Sequence, residues 1–403
     1  ITFYKNRYFL CDNFKYMKRN ILPAALVALA FMTAGCGRVS RPEVDNVIYL
    51  IGDGMGLGAV TSLLVSEDSL TGFEYAPIVG LSETCSANNY VTDSPAGGTA
   101  LATGTRTNNG YLGVDPEGKQ LTSILKKAQE MGKKTGIVVN TTLTEATPGA
   151  FYAGVTSRYK VFDIAKQFTE SGVDVAVGAG LDHFIARPDS LDLTATLIEK
   201  GYDVYLSWEN VLNTTSDKFV GILPLGDVHR SKSSNNTAGA AEGQEVCLAA
   251  KLAASAGNES ATHLSEPTEY LKKATAKALD VLSRSKDGYF LMIESAVIDG
   301  YGHNNDPEGL IVEMREFDRT LRQLVAYVNE HPNTLLVVTA DHETGGVGLD
   351  YCGYEHGSPR LNFSTHGHTG TVVPVFAYGA GAESFAGIMK NTDIPKKIEE
   401  LIR

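Results

Sequence analysis

The chain has 403 residues, 43% of them hydrophobic, and carries 35 lysines and arginines against 47 aspartates and glutamates, a formal net charge of −12. So acidic a balance excludes nucleic-acid or anionic-membrane binding driven by charge, and an anionic substrate would need fixed local cations to hold it. The five cysteines are scattered without a CxxC pair, so a metal centre must draw its ligands from histidine and carboxylates.

Residues 1–16 read as an upstream extension of the reading frame that carries no fold information. Met17-Lys18-Arg19-Asn20 then leads into an apolar run from Ile21 to Ala34. A short basic region, an apolar stretch too short to span a bilayer with margin, and small residues before a cut predict an export signal over 17–35. Met32-Thr33-Ala34-Gly35-Cys36 resembles a bacterial lipoprotein signal, with Cys36 as the lipid-anchored first mature residue, although Thr33 stands where such signals usually carry leucine. Cleavage nearby as an ordinary signal peptide is the alternative. Either route predicts a location in the periplasm or outer envelope. Loss of 1–35 removes five basic residues and one acidic, taking the formal charge to −16. Cys85, Cys247 and Cys352 then remain and allow one disulfide at most.

Residues 36–45 read as a linker. Beyond them 46–403 contain no Pro/Gly/Ser-rich boundary, charge block or repeat, so one large domain is expected, with an insertion around 230–260 that is rich in Ser, Asn, Ala and Gly. Apolar, β-branched runs at Asn46 to Ile51, Gly136 to Asn140, Val173 to Val177, Tyr289 to Ile293, Thr334 to Thr339 and Val372 to Tyr378 predict buried strands. Amphipathic segments between them, at Thr122 to Met131, Thr268 to Ser283 and Gly309 to Asn329, predict helices. The class is α/β: a three-layer sandwich around a large, mostly parallel central sheet.

Acidic and imidazole side chains follow those strands. Gly52-Asp53-Gly54-Met55-Gly56 is either a turn or cap, or a loop whose glycines let backbone approach an ion; its spacing is not GxGxxG and no Walker lysine follows. In Asp93-Ser94-Pro95, Ser94 is read as the helix N-cap with Pro95 at the first helical position. Its hydroxyl is either a plain cap or a nucleophile at the positive end of a helix dipole. Arg158, downstream of Thr144-Glu145-Ala146-Thr147-Pro148, is either a surface ion pair or a fork for two phosphate oxygens. Glu294, Asp299 and His303 follow the fourth strand, Asp341-His342-Glu343 the fifth, and His366-Gly367-His368 precedes the sixth. Each cluster alone has a structural explanation. In open α/β sheets, however, ligands bind outside the carboxyl ends of the strands, and three strand ends deliver ligand-type residues to one edge. Nitrogen and oxygen donors of this kind suit zinc, and a carboxylate between two cations makes a two-metal phosphoryl site.

In chain order, Ile51-Gly52-Asp53-Gly54-Met55-Gly56, Thr92-Asp93-Ser94, Glu145-Ala146-Thr147-Pro148 with Thr156-Ser157-Arg158, Glu294 to His303, Thr339-Ala340-Asp341-His342 and Gly367-His368-Thr369-Gly370 resemble the alkaline phosphatase family, from about Asn46 to Gly379. The resemblance implies two zinc ions and one magnesium. Asp299, His303 and His368 would hold one zinc, and Asp341 and His342 the other. Asp53 would bridge the second zinc to magnesium, with Thr147 and Glu294 completing the protein ligands of magnesium. It further implies attack by Ser94 on phosphorus, a phosphoserine intermediate, and Arg158 clamping the phosphoryl oxygens of small phosphate monoesters.

The chain departs from the family pattern in places. Glu145 stands where well-known bacterial members have Asp, which is expected to change the water shell of the magnesium; Gly300 stands where they have Lys and others His or Trp, which is expected to alter phosphate affinity and pH optimum rather than abolish activity. His366 is an extra imidazole beside His368, either a supporting partner of the ligands or a bystander, and is read as a bystander. Only 18 residues, 348–365, separate Val347 from His366, so the insertion that crowns the dimer in many relatives is small or missing; a homodimer is compatible with this but not required by it. Phosphodiesterases, sulfatases and cofactor-independent phosphoglycerate mutase share the two-metal core and are the enzymatic rivals. A catalytically inactive phosphate-binding lipoprotein is the rival of another class.

Overall fold

A computed structural model describes residues 44–228, 269–350 and 359–402. The export signal, Cys36, Cys247, Cys352 and the 230–260 insertion lie outside the described residues.

The described strands are β1 (Asn46–Gly52), β2 (Ile78–Glu83), β3 (Lys134–Thr142), β4 (Val175–Ala179), β5 (Asp203–Tyr205), β6 (Phe219–Leu223), β7 (Tyr289–Ser295), β8 (Thr334–Thr339), β9 (Glu343–Thr344), β10 (Val347–Leu349), β11 (Leu361–Phe363), β12 (His368–Thr369), β13 (Val373–Gly379) and β14 (Gly387–Lys390). Ten of them form one sheet in the order β14-β2-β13-β8-β1-β7-β3-β4-β6-β5. Only β13 runs antiparallel to its neighbours, β2 and β8. All six predicted strands are present. The four additional strands lack a strong apolar signal for local reasons: β5 has three residues, β14 is a short edge strand, and Gly80 and Gly221 interrupt β2 and β6.

The sequence of β1 explains its central place. Its run Val47-Ile48-Tyr49-Leu50-Ile51 is buried throughout, and consecutive side chains enter opposite cores. Val47, Tyr49 and Ile51 pack with the helices Ser94–Thr103, Ile124–Glu130 and Asp393–Leu401. Ile48 and Leu50 pack with Leu57–Ser66, Tyr270–Leu282 and Pro307–Glu330. Two covered faces make three layers, and a strand covered on both faces needs an unbroken apolar run rather than alternation. Each buried Leu, Ile or Phe contributes about 1.5–3 kcal/mol relative to exposure.

Register then positions the site. β1 pairs in parallel with β7 and β8, with Ile51 opposite both Glu294 and Thr339. Asp53, Glu294 to Asp299, and Asp341 with His342 therefore leave the sheet at the same level of the same edge. β13, β9 and β12 complete it: the two-residue strands β9 and β12 pair antiparallel, His368 opposite Thr344, and bring His368 back over the ends of β7 and β8.

Candidate active site and metal centre

The first strand end is shaped by a glycine. Gly54 has φ +72°, and a Cβ there would lie 2.8 Å from both Asp299 Cα and Thr344 Oγ1, so no side chain fits. Its N–H donates to Asp341 Oδ1 at 3.1 Å, tying the first loop to the third. Asp53 beside it is 1% exposed. It is not the cap of the following helix, whose N-cap is Gly56.

The candidate ligands fall into two groups. Asp299, His303 and His368 bring one ligand atom each within 4.8 Å of the others, and so do Asp53, Asp341 and His342. In the first group, His303 Nε2 lies 3.3 Å from Asp299 Oδ2 and His368 Nε2 lies 3.5 Å from Asp299 Oδ1. The two Nε2 atoms face each other at 3.1 Å, and lone pairs so close require a proton or a cation between them. In the second group, His342 Nε2 lies 3.2 Å from Asp341 Oδ2 and 3.4 Å from Asp53 Oδ1.

Each imidazole turns its other nitrogen to an oxygen. His303 Nδ1 lies 2.5 Å from the His366 carbonyl, His368 Nδ1 lies 3.0 Å from the Thr92 carbonyl, and His342 Nδ1 lies 3.2 Å from Thr344 Oγ1. A carbonyl only accepts, so Nδ1 of His303 and His368 donates, and Nε2 is the nitrogen left to take a cation or a second proton. This is how metal-ligating histidines are oriented. The reading of His366 as a bystander is thereby corrected: its backbone carbonyl orients His303, and its own Nδ1 lies 2.9 Å from the His303 carbonyl.

The charges of this array are mutually dependent. Burial pushes the Asp299 carboxyl up, but hydrogen bonds and charge from His303 and His368 outweigh it and hold it well below the usual range. Burial disfavours charge on His368, yet the Asp299 partner lifts it to about 9. Asp341 is pushed up to about 7 by burial and by Asp299, and burial with the His368 charge drives His342 well below the ordinary imidazole value. Glu294 is raised by burial, then by Glu145 and Asp341. Neither Glu294 oxygen has a hydrogen-bond partner of normal geometry; Thr147 and the Arg158 charge are the neighbours that lower its pKa. A carboxylate so placed either holds a proton or faces a cation. Buried O and N donors without thiolate fit zinc and a harder divalent ion such as magnesium.

The nucleophile candidate sits beside the second group. Ser94 is 1% exposed, and its Oγ lies 3.3 Å from His342 Nε2. One expectation is corrected here. The N-cap of the helix Ser94–Thr103 is Asp93, with Ser94 and Pro95 inside the first turn. Asp93 Oδ1 accepts from Ala96 N–H at 3.0 Å and Oδ2 from Gly110 N–H at 2.6 Å, so a bidentate carboxylate does the capping and the Ser94 hydroxyl is not consumed by it. Two glycines let this helix approach the ligands: a Cβ on Gly97 would lie 3.0 Å from the Asp341 carbonyl oxygen, and one on Gly98 2.9 Å from Thr147 Cα.

Arg158 Nη2 pairs with Glu145 Oε1, with the side chains 14% and 5% exposed. Its backbone N–H donates to Gly110 O at 3.0 Å, so the Arg158 loop and the Asp93 cap share the same turn. Arg158 is close enough to lower the carboxyls of Asp93 and Glu294 by charge. The structure thus brings Asp53, Ser94, Thr147, Arg158, Glu294, Asp299, His303, Asp341, His342 and His368 to one sheet edge. Thr344 and the Thr92 carbonyl also touch candidate ligands. Neither was foreseen, because a threonine beside a run of charged residues carries no signal of its own.

The alkaline phosphatase family model matches residues 44–364. Alkaline phosphatase 4 of Bacillus subtilis is 28% identical, with 97% of this chain and 98% of that protein covered. The solved alkaline phosphatase of the Antarctic bacterium TAB5 is 31% identical with a TM-score of 0.75, covering 89% of this chain and 98% of that one. A mutant of the TAB5 enzyme, 30% identical over 90% of this chain and 98% of that one with a TM-score of 0.75, has Mg bound in the site called M3.

Proposed function

The chain belongs to the alkaline phosphatase family and is a phosphoric monoester hydrolase, and on that premise we propose that it works through a phosphoserine on Ser94 at a site for two zinc ions and one magnesium. The observation that carries the reading is the placement of Ser94 Oγ, 3.3 Å from His342 Nε2 and beside two sets of converging N and O donors. In this reading Asp299, His303 and His368 would hold one zinc and Asp341 with His342 the other. Asp53 would serve the second zinc and the magnesium, and Thr147 and Glu294 would be the remaining protein ligands of magnesium. When bound, the cations supply Lewis acidity that offsets the charge building on the entering and departing oxygens.

The chain's own residues do the rest. Asp93 fixes the first helical turn, which holds Ser94 Oγ at the positive end of the helix dipole, where a phosphate is favoured. Attack by Ser94 Oγ on phosphorus forms the serine ester and breaks the bond to the alcohol, which leaves with the proton the hydroxyl gives up; water then breaks the serine ester, returns a proton to Ser94 Oγ and releases inorganic phosphate. Glu145 pins one edge of the Arg158 guanidinium, a planar fork suited to holding two phosphoryl oxygens in line. Burial of the carboxylates and imidazoles keeps water from screening these charges. On an acidic protein this pocket supplies the local cations that an anionic substrate needs. The same proposal includes export and a lipid anchor at Cys36, carried by the sequence alone.

The test is turnover of p-nitrophenyl phosphate against its bis-ester, with zinc and magnesium supplied, for the wild-type protein and Ser94→Ala. Monoester hydrolysis that collapses in Ser94→Ala is the expected outcome. Preference for the diester would move the protein to the phosphodiesterase branch, and undiminished turnover by Ser94→Ala would overturn the covalent route.

A further inference from the structure

One buried hydroxyl touches a member of each ligand group. Thr344 is 2% exposed, and its Oγ1 lies 2.5 Å from Asp299 Oδ1 and 3.2 Å from His342 Nδ1. Its position is fixed from several sides. The backbone N–H donates to Gly54 O at 3.2 Å, and the residue pairs with His368 across β9 and β12. Its side chain is packed between two glycines: a Cβ on Gly54 would come 2.8 Å from Oγ1, and one on Gly302 3.0 Å from Cγ2.

A threonine hydroxyl has one proton to give and lone pairs to accept with. A carboxylate only accepts, so the contact with Asp299 takes the hydroxyl proton. The other contact must then be a donation from His342 Nδ1–H to Oγ1. This selects one tautomer of His342 and leaves its Nε2 unprotonated, with Asp341 Oδ2, Asp53 Oδ1 and Ser94 Oγ around it at 3.2, 3.4 and 3.3 Å.

We propose that Thr344 is a positioning residue that couples the two ion sites: it locks His342 in the Nδ1–H tautomer and at the same time anchors the Asp299 carboxylate that faces His303 and His368. The proposal rests on the ligand assignments given under Proposed function. Its physical content is that one hydrogen-bonded hydroxyl sets the geometry of both groups, so its loss is felt at both. Outer-shell partners of this kind typically contribute about 10–100-fold in metal affinity.

The test compares Thr344→Val, which fills the same volume without hydrogen bonds, with Thr344→Ser, which keeps the hydroxyl. Metal-stripped full-length protein is titrated with zinc against a chromophoric chelator. Thr344→Val is expected to weaken both tight sites by about 10–100-fold, and Thr344→Ser to bind close to wild type. Equal zinc affinities in wild type and Thr344→Val would overturn the proposal. A second readout needs no variant and holds even if Thr344→Val does not fold. In zinc-loaded wild-type protein with nitrogen-15 histidine, His342 is expected to carry its proton on Nδ1; an unprotonated Nδ1 overturns the proposal. His342→Ala and Asp299→Ala separate the two layers of the argument. If they bind zinc as wild type does, the ligand assignment itself fails. If they lose zinc while Thr344→Val does not, only the coupling fails.

Discussion

The two ligand groups are built differently. Asp53, Asp341 and His342 are each no more than 1% exposed and come from loops directly at the ends of β1 and β8. In the other group Asp299 is fully buried, but the side chains of His303 and His368 are 20% and 15% exposed, and they come from a short helix and a two-residue strand. One group is sealed into the sheet edge and the other opens to solvent. A sealed group depends on every donor, since no water can replace a lost one, whereas an open group can recruit a water and exchange its ion. The comparison bears on the site as well, because Ser94 sits against the sealed group while solvent reaches the imidazoles of the open one.

The largest test of this contrast is substitution within each group. Asp341→Ala is expected to lower kcat/KM by about ten-thousandfold and not to recover with added zinc, while His303→Ala falls by about a hundredfold and recovers in part when zinc is raised. Equal losses and equal recovery would remove the distinction. Chelation gives a kinetic version: under excess chelator the metal is expected to leave in two phases, the open group first and about tenfold faster, because solvent access governs exchange. A single phase would contradict it.

Proton competition sharpens the comparison further. In the metal-free protein His368 is lifted to about 9 and Asp341 to about 7, so both carry protons that an incoming cation must displace as pH falls below those values. Zinc uptake at mildly alkaline pH is therefore expected to release protons, with apparent affinity falling by up to about tenfold per pH unit for each competing proton as the medium becomes neutral and then acidic. Calorimetry in buffers of different ionisation enthalpy measures this, and metal uptake without proton release would contradict the charges assigned to the array.

The smallest expected effect lies away from the site. Glu316 is raised to about 8 by burial, with Glu313 adding to it, from an unperturbed 4.5. A carboxyl whose folded pKa is raised gives stability fully present below the unfolded value and lost as pH rises through the folded one. Glu316→Gln should therefore match wild type in acid and unfold a few degrees higher above pH 8, as followed by circular dichroism. A lower Tm at alkaline pH would show that the stronger hydrogen bond a charged carboxylate accepts from Leu271 N–H outweighs the cost of burying the charge.

Much of this was legible in the sequence because strands buried on both faces are written as unbroken apolar runs, and the residues that end them stand out. Asp53, Glu294, Asp341 and His342 follow such runs and emerge together because β1, β7 and β8 are adjacent and in register. The cap of the Ser94 helix was not legible. Asp93 and Ser94 are both good caps by type, and the choice is made by the Gly110 N–H, 17 residues on. The roles of Thr344 and His366 were equally hidden, since two-residue strands such as β9 and β12 have no periodicity to read. The buried links from Asn140 Nδ2 and Ser295 Oγ to Glu313 Oε1, at 2.7 and 2.6 Å, steady the turn after β7 and join residues as far as 173 positions apart. Such pairings exist only once the sheet has assembled.

The most direct test is to trap the covalent intermediate. Metal-loaded protein mixed with a phosphate monoester, quenched in acid and digested, is expected to yield a peptide carrying one phosphoryl group on Ser94 by mass spectrometry. Turnover with no phosphoryl group on Ser94, or with the group on another residue, would contradict the account.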